Sequence, residues 1–337
     1  MIDSTSIRVR TILLLFVLAR LVFNSTPRKA HRTSWTTFCE NEWLGNFATT
    51  EIPASCAFHV VISHCLAHLD WLEQEFLALP CELKSVTIYS KCGVNPSHTV
   101  GRVLSTKVRY MRLANVGRCD HTYAYHMAQV ALTRQLKPDE VVVFLKDTRV
   151  IHQPGYHREM RGMIDIARGP VRFSCGMVPR ATVGFKYSNI SMWHRTDILS
   201  KFKLQHYSYD MYERENRSAG NFKFMDGDFV TWSENLRIDL RSNLVTPVCY
   251  GGVFATSGAQ IIARGVQFWY DIAQSLTRGN SIEEGHFMER VWAHILLHRT
   301  GNLSDERVLR HGQKVIWHEY QGLQGTLYGC RETRVES

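Results

Sequence analysis

Apolar and polar positions alternate along the middle of the chain in a way that predicts strands and helices in turn. Three apolar runs, Ala57–Ser63, Ser85–Ser90 and Val141–Leu145, have the length and the β-branched content of buried strands. Helical spacing of apolar residues appears around Asp70–Leu79 and again after Asp120, a residue type that caps helix amino termini. Apolar strands without polar alternation are typical of a parallel sheet that is covered on both faces.

The second half of the chain continues this alternation. Tyr250–Thr256 predicts a strand, Gln267–Leu276 predicts a helix, and Glu284–His298 predicts a last helix whose apolar stripe includes Trp292. The polar residues of this last helix fall on or near its other side: Glu283, His286, Glu289 and Arg290. The last two are expected to form an ion pair that holds the helix to the sheet. The whole pattern predicts an α/β fold, with an open, mostly parallel sheet flanked by helices in a single Rossmann-like domain.

Charged residues come directly after the apolar strand Val141–Leu145. Lys146 and Asp147 stand at its carboxyl end, where α/β enzymes present side chains to a cleft. Asp147 is expected to contact a metal ion or a sugar, or else to cap the turn after the strand. Arg118 and His121 border a glycine turn and are expected to bind phosphate beside a helix amino terminus, as is Lys146. Capping and loop packing are the alternative explanation for Arg118 and His121.

Four further acids and one histidine are candidates for chemistry. Asp226 and Asp228 form the one literal D-x-D motif of the predicted core, which can clamp a metal ion but is also ordinary turn chemistry. Glu283 and Glu284 are candidates for a catalytic base, or are acids favoured by the dipole in the first turn of a helix. His286 is a candidate metal or phosphate ligand, with helix packing as its alternative role.

The two ends of the chain differ in composition from the middle. Residues 1–10 form a short basic tail, and Thr11–Phe23 is an apolar run that we interpret as a signal-anchor, with a cleaved signal peptide as the alternative. Residues 24–53 have the composition of a stem or linker, 54–300 form the predicted α/β domain, and 301–337 are a polar tail.

Several features favour the secretory pathway, with the domain in the lumen of the Golgi or the endoplasmic reticulum, or secreted. Glycosylation sequons occur at Asn189, Asn216 and Asn302. The nine cysteines show no zinc-binding spacing, and their odd number leaves at least one without an intramolecular partner. The net charge is +9, but the basic residues are scattered along the chain, so nucleic acid is not an expected partner. Contact with the membrane is expected only through the N-terminal segment.

Six sequence blocks occur in a fixed order: VVISHCLAHLDWL (60–72), VTIYSKCG (86–93), LANVGRCDHTYAYH (113–126), VVVFLKD (141–147), YGGVFATSGAQI (250–261) and EEGHFMERVW (283–292). Together they resemble a eukaryotic domain-of-unknown-function family with NVGRE-x-HTY, VxFLQ, YGxxF and ERLW blocks. This chain has Cys119 and Asp120 where that family has a glutamate, and Lys146 where it often has glutamine.

The layout is also similar to that of GT-A glycosyltransferases. This resemblance implies a nucleotide-sugar donor, a glycan or glycoprotein acceptor, and an acid at a strand end that holds Mn²⁺ or Mg²⁺ on the diphosphate. It also implies a glycine-rich acceptor strand, here with Gly251 and Gly252, and a later acid that acts as base. The resulting hypothesis is a glycosyltransferase. A non-catalytic lumenal or secreted glycan-binding protein and a metal-dependent hydrolase are the alternatives.

Overall fold

The computed structural model describes residues 56–77, 79–96, 100, 107–148, 160–176, 192–202, 222–297 and 326–327. All of them lie in the unit Cys39–Ser337. The proposed anchor, the stem, the sequons and most of the polar tail lie outside the described residues. No helix in the described ranges has the length and apolar character needed to cross a bilayer.

Strands and helices alternate along the described part of the chain. The elements are β1 Ala57–His64, α1 Trp71–Leu77, β2 Glu82–Ser90, β3 Val108–Arg112, α2 Arg118–Thr133, β4 Val141–Lys146, α3 Met160–Arg168, β5 Phe173–Cys175, β6 Met192–Arg195, α4 Thr196–Leu199, α5 Phe229–Asn235, β7 Val245–Val248, β8 Phe254–Ser257, α6 Gly258–Ser275, α7 Glu283–Leu296 and β9 Thr326–Leu327.

A six-stranded sheet in the order β3-β2-β1-β4-β8-β5 forms the centre of the fold. The pairs β1–β2, β2–β3 and β1–β4 are parallel, and β8 is antiparallel to both of its neighbours. A three-stranded antiparallel sheet of β7, β6 and β9 lies in the same unit. The prediction of an open, mostly parallel α/β sheet flanked by helices is confirmed.

The strand order changes direction at β1. From β1 the chain adds β2 and then β3 on one side, and α2 carries it back so that β4 pairs with the other side of β1. In open α/β sheets, ligands bind in the crevice at the carboxyl ends of the strands where the order reverses. That crevice lies here between the ends of β1 and β4.

Apolar layers cover both faces of the main sheet, as the bare apolar strands predict. On one face Phe144 of β4 packs 5.0 Å from Tyr123 of α2, measured between ring centroids, and Trp292 of α7 belongs to the same layer. On the other face Ile62 of β1 and Trp71 of α1 share the second layer. Trp292 is fully buried, so the apolar stripe of α7 is confirmed.

Two predicted element starts are wrong. Helix α2 begins at Arg118, with Gly117 at its cap in the left-handed region (φ 56°), so Asp120 is a buried helical residue and not the cap. Strand β8 begins at Phe254 and not at Tyr250, because Gly251 and Gly252 have φ values of 87° and 63° and form a turn.

The expectation of a polar side on α7 is wrong for two of its four residues. His286 and Arg290 are 6% and 1% exposed, because α7 also packs against α2, α5 and β7. Glu284, in the first turn of the helix, is also buried, at 2% exposed. Arg290 Nη1 and Glu289 Oε2 lie 3.8 Å apart, as the expected ion pair requires.

Disulfides join three pairs of cysteines in the described residues: Cys56–Cys81, Cys65–Cys92 and Cys175–Cys249. The second pair links the loops that follow β1 and β2, at the carboxyl edge of the sheet. Cys119 is free and buried.

Candidate functional site

The ends of β1 and β4 are joined through Asp147. Its Oδ2 accepts hydrogen bonds from the backbone N–H groups of Cys65 at 2.7 Å and Ala67 at 3.3 Å, and its own N–H donates to Ser63 O at 3.1 Å. Asp147 therefore fixes the loop after β1, which is the turn-closing role considered for it. Its other oxygen, Oδ1, makes no hydrogen bond to a described residue.

Lys146 lies beside Asp147 and under the turn that precedes β8. An ideal Cβ placed on Gly252 would lie 2.8 Å from Lys146 Cε, 3.3 Å from its Nζ and 2.9 Å from Cys119 Sγ. A side chain at this position would displace the end of Lys146 and meet the Cys119 sulfur, and it would be strained at φ 63°. Tyr123 Oη donates to the carbonyl of Gly252 at 2.9 Å and fixes the turn from the side of α2.

Glu289 of α7 holds the same turn from the other side. Its Oε1 accepts a hydrogen bond of 2.7 Å from the N–H of Gly251. Burial raises the pKa of Glu289, but the charges of Arg290 and Lys146 and the Gly251 N–H outweigh this effect, so the pKa lies below its usual value. Glu289 is thus an ionised carboxylate, with a side chain that is 17% exposed.

Arg118 begins α2 and reaches across the start of α7. Its Nη1 lies 3.2 Å from His286 Nε2. Burial and the charge of Arg118 lower the pKa of His286 to about 3, so this histidine is neutral. The backbone N–H groups of Gly117 and Arg118 donate to the carbonyls of Gly279 and Asn280 at 2.6 and 3.1 Å, so these two amides of the helix terminus are not open to an anion.

Lys91, directly after β2, supports the loop that leads into α2. Its ammonium donates to the carbonyls of Val116 and Arg118. Burial lowers its pKa to about 8. Burial and the charge of Lys91 lower the pKa of His121 to about 4, and the His121 ring stacks on Tyr125 with centroids 6.3 Å apart. His121 is only 6% exposed, and its buried Nδ1 has no hydrogen-bond partner in the described part of the chain.

Asp120 lies beneath these groups. Trp292 Nε1 donates to its Oδ1 at 2.7 Å, and the Cys119 thiol donates to its Oδ2 at 3.8 Å. Burial raises the pKa of Asp120 to about 6. The charge of Glu289 also raises this pKa, whereas the hydrogen bond from Trp292 lowers it. Burial and Asp120 raise the pKa of the Cys119 thiol to about 11. The charged cluster is therefore Arg118, Asp120, Lys146 and Glu289, next to a neutral thiol.

The two acids considered as a base are engaged elsewhere. Glu284 forms a two-pronged ion pair with Arg278, at 2.9 Å from Nε and 2.7 Å from Nη2, and its side chain is 3% exposed. Glu283 Oε2 accepts the N–H of Phe224 at 2.9 Å. Both carboxylates fasten the segment before α5 and the loop before α7 to the start of this helix. Neither is directed to the cluster around Lys146 by any of these bonds.

The four predicted metal ligands do not come together. Asp228 caps α5 by accepting hydrogen bonds from Thr231 N and Oγ1 at 2.9 and 3.0 Å, and Asp226 is exposed in the same turn. His286 faces Arg118. The described residues contain no group of three histidine, cysteine or acidic side chains that could hold a metal ion. Asp147, with one oxygen unused at the crevice, is the member of the set that lies at the carboxyl edge.

A cavity of about 390 Å³ lies at the other end of α7, away from this cluster. Its lining includes Arg237, Arg264, Phe268 and His294. Arg118 contacts α7 near its start, at His286, whereas the cavity is lined by His294 near its end. This cavity is therefore separate from the candidate site.

Sequence reasoning missed Asp120 and Glu289 as members of the cluster, and Lys91 as the residue that supports the loop beside it. Lys91 follows a predicted strand directly, so its place at the carboxyl edge was a usable signal. Asp120 and Glu289 acquire their environment from contacts with residues 172 and 38 positions away, Trp292 and Gly251. No local pattern reports such contacts.

Comparisons with known proteins do not assign a function to this chain. No family model matches the chain, and no curated protein matches it. Among solved structures, the chain is similar to the crystal structure of 4-diphosphocytidyl-2C-methyl-D-erythritol synthase, with 10% sequence identity and a TM-score of 0.30. The match covers 40% of this chain and 64% of the synthase chain, so the chain spans less than two thirds of that enzyme.

Proposed function

We propose that the protein is a glycosyltransferase that moves a sugar from a nucleotide-sugar donor to a glycan or protein acceptor in the secretory pathway. The observation that supports this proposal is the meeting of Lys146 and Arg118 with Glu289 at the carboxyl edge of the sheet, beside the crevice between β1 and β4. The two cations of this site suit a ligand with a diphosphate, and its acids suit the hydroxyl groups of a sugar.

The two cations have the clearest role in the proposed reaction. Negative charge develops on the departing nucleoside diphosphate as its bond to the sugar breaks, and fixed cations in a partly buried site stabilise that charge. Lys146 is held at its end by the Gly252 turn, so it contributes a positioned ammonium. Arg118 adds a planar guanidinium, which can make two parallel hydrogen bonds to phosphate oxygens.

A divalent cation belongs to the proposal through Asp147. Mg²⁺ is commonly held by one or two carboxylates together with substrate phosphates, so one acid with an unused oxygen fits this type of site. When bound, such a cation would neutralise diphosphate charge as a Lewis acid. Asp226 and Asp228 are not part of this proposal, since Asp228 caps α5 and Asp226 is exposed in the same turn. His286 is not assigned a cation either, because its Nε2 faces the guanidinium of Arg118.

The cysteines support the proposed compartment. Three disulfides in the described residues suit an oxidising environment such as the lumen of the secretory pathway. Retention in the membrane through Thr11–Phe23 and glycosylation at Asn189, Asn216 or Asn302 remain part of the proposal.

A donor panel tests the proposal. Purified lumenal protein is mixed with UDP-, GDP- and CMP-sugars with and without Mn²⁺, and the melting temperature is recorded. A donor at 100 times its Kd adds about 2.7 kcal/mol of stability, which is about 5–10 °C for a domain of this size. Mn²⁺ dependence of the shift tests the role of Asp147.

A variant and a matched control locate the response. Lys146→Gln is expected to remove the donor shift. Lys84→Gln is expected to keep it, because Lys84 lies near the start of β2 and its ammonium pairs with Glu82 on the surface. Absence of a shift with every donor would contradict the proposal. Binding of free glycans without nucleotide sugars would favour the glycan-binding alternative.

A further inference from the structure

We propose that Glu289 is a positioning residue for Lys146, because it fastens the Gly251–Gly252 turn over the lysine and supplies the negative charge that balances the ammonium. The ligand of this pair, a donor diphosphate, rests on the proposed function. The pairing itself rests on contacts within the protein. The sequence predicts an ion pair between Glu289 and Arg290, and the contact with Gly251 gives Glu289 a second role.

Glu289 fixes the Gly251–Gly252 turn through a hydrogen bond. Gly251 and Gly252 both have positive φ, and such consecutive left-handed residues need external support to keep one conformation. Glu289 Oε1 accepts the Gly251 N–H at 2.7 Å, and Tyr123 Oη donates to the Gly252 carbonyl at 2.9 Å. The turn is therefore fixed by one contact from α7 and one from α2.

The Gly251–Gly252 turn lies close to the end of Lys146. The α-carbon of Gly252 approaches the lysine so closely that an added methyl group would lie 2.8 Å from Cε and 3.3 Å from Nζ. A turn in this place limits where the ammonium can go. A residue that holds the turn thus also sets the direction of the lysine.

Charge adds to this contact. Glu289 is an ionised carboxylate, because the charges of Arg290 and Lys146 and the Gly251 N–H keep its pKa below the usual value despite burial. The Cys119 thiol, which also lies close to this turn, is neutral at physiological pH because its pKa is raised to about 11. Glu289 therefore supplies a negative charge beside Lys146 that the thiol does not, and Asp120, with a pKa of about 6, is the second acid of the set.

The ammonium of Lys146 is accessible to a ligand. Lys146 is half-buried, and its Nζ is not among the fully buried nitrogen atoms without a partner in the described ranges. Glu289 acts on it through charge, while the Glu289 oxygens are directed to Gly251 and Arg290. The N–H groups of Lys146 can therefore meet water or an incoming anion.

A ligand-free measurement tests the pairing directly. The Cε resonance of Lys146 is recorded at neutral pH by NMR on protein with ¹³Cε-labelled lysine, with Lys146→Gln used to assign the signal. Glu289→Gln keeps an oxygen for the Gly251 N–H and removes only the charge. We expect the Lys146 resonance to shift and broaden, because an uncharged acceptor holds the turn over the lysine less firmly. Glu234→Gln, at an exposed pair with Arg241, is the control and should leave it unchanged.

A binding measurement tests the purpose of the pairing. UDP and inorganic pyrophosphate are titrated calorimetrically into the parent, Glu289→Gln, Lys146→Gln and the double variant. We expect each single change to weaken UDP binding about tenfold or more, and the double change to be no worse than Lys146→Gln, since residues that act as a unit are not additive.

Each outcome has a definite meaning. An unchanged Lys146 resonance in Glu289→Gln, or additive losses in the double variant, would overturn the positioning role even if the parent binds donors. A changed Lys146 resonance in Glu289→Gln, together with a parent that binds neither UDP nor pyrophosphate, would support the positioning role and contradict the proposed function.

Discussion

Replacing Asp120 by Asn should make the protein more stable at neutral pH, although Asp120 lies at the centre of the candidate site. The carboxyl is 3% exposed, and its Oδ1 accepts the Trp292 N–H at 2.7 Å. Asn keeps an oxygen for that bond and has nearly the same volume. The substitution therefore removes a buried charge and leaves the packing of α2 against α7 in place.

The magnitude follows from the pKa of this group. Burial raises the pKa of Asp120 from 3.8 to about 6 in the folded protein. The folded state then holds its proton more tightly than the unfolded state, so stability falls as the pH rises from about 4 to about 6. Above pH 6 the cost is constant. A difference of about 2 units corresponds to roughly 3 kcal/mol, which Asp120→Asn is expected to recover at pH 7.

Urea unfolding of the parent and Asp120→Asn at pH 4, 5, 6 and 7 measures this effect. The stability gain of the variant should be small at pH 4 and should grow to its full size by pH 7. Asp228→Asn is the control: that side chain is exposed and caps α5, and Asn caps as well as Asp does, so its effect should be small throughout. A variant that is less stable than the parent at pH 7, or a gain independent of pH, would refute the reasoning.

Three further substitutions or reagents test other parts of the site. Gly252→Ala should cost about 2–4 kcal/mol, because an alanine is strained at φ 63° and meets Lys146 and Cys119; thermal melting measures it, and an unchanged melting temperature would contradict the close contact. Trp292→Ala should cost about 3–5 kcal/mol in urea unfolding through the cavity it leaves, and a loss below 1 kcal/mol would show that α7 is not packed as described. Cys119 should resist maleimide in native protein and react only on unfolding, since it is buried and its pKa is raised to about 11; rapid native labelling, followed by mass spectrometry, would contradict this.

The strands and the last helix were predictable because their signals are local. Val141–Leu145 is an uninterrupted apolar run, and burial on both sheet faces is the condition that selects such a run. Trp292 falls on a stripe with helical period and is fully buried. Strand β3 was missed because it lies at the edge of the sheet, and none of its residues is fully buried, so it carries little apolar pattern.

The site was less predictable because its members are defined by contacts between distant segments. Lys146 and Asp147 could be placed at a sheet edge, since their strand was visible in the sequence. Glu284 and Glu289 are both acids on α7, and the sequence offers no sign that the first pairs with Arg278 while the second holds Gly251. Asp120 has the residue type of a helix cap, but the left-handed Gly117 takes that place and leaves Asp120 inside the helix.

The central claim, that Lys146 meets the diphosphate of a nucleotide sugar, is tested most directly by ³¹P NMR of the donor with the largest thermal shift. Addition of the parent protein should move and broaden both phosphate resonances, and Lys146→Gln should abolish this change while Lys84→Gln preserves it. Resonances that respond equally to the parent and to Lys146→Gln would contradict the claim.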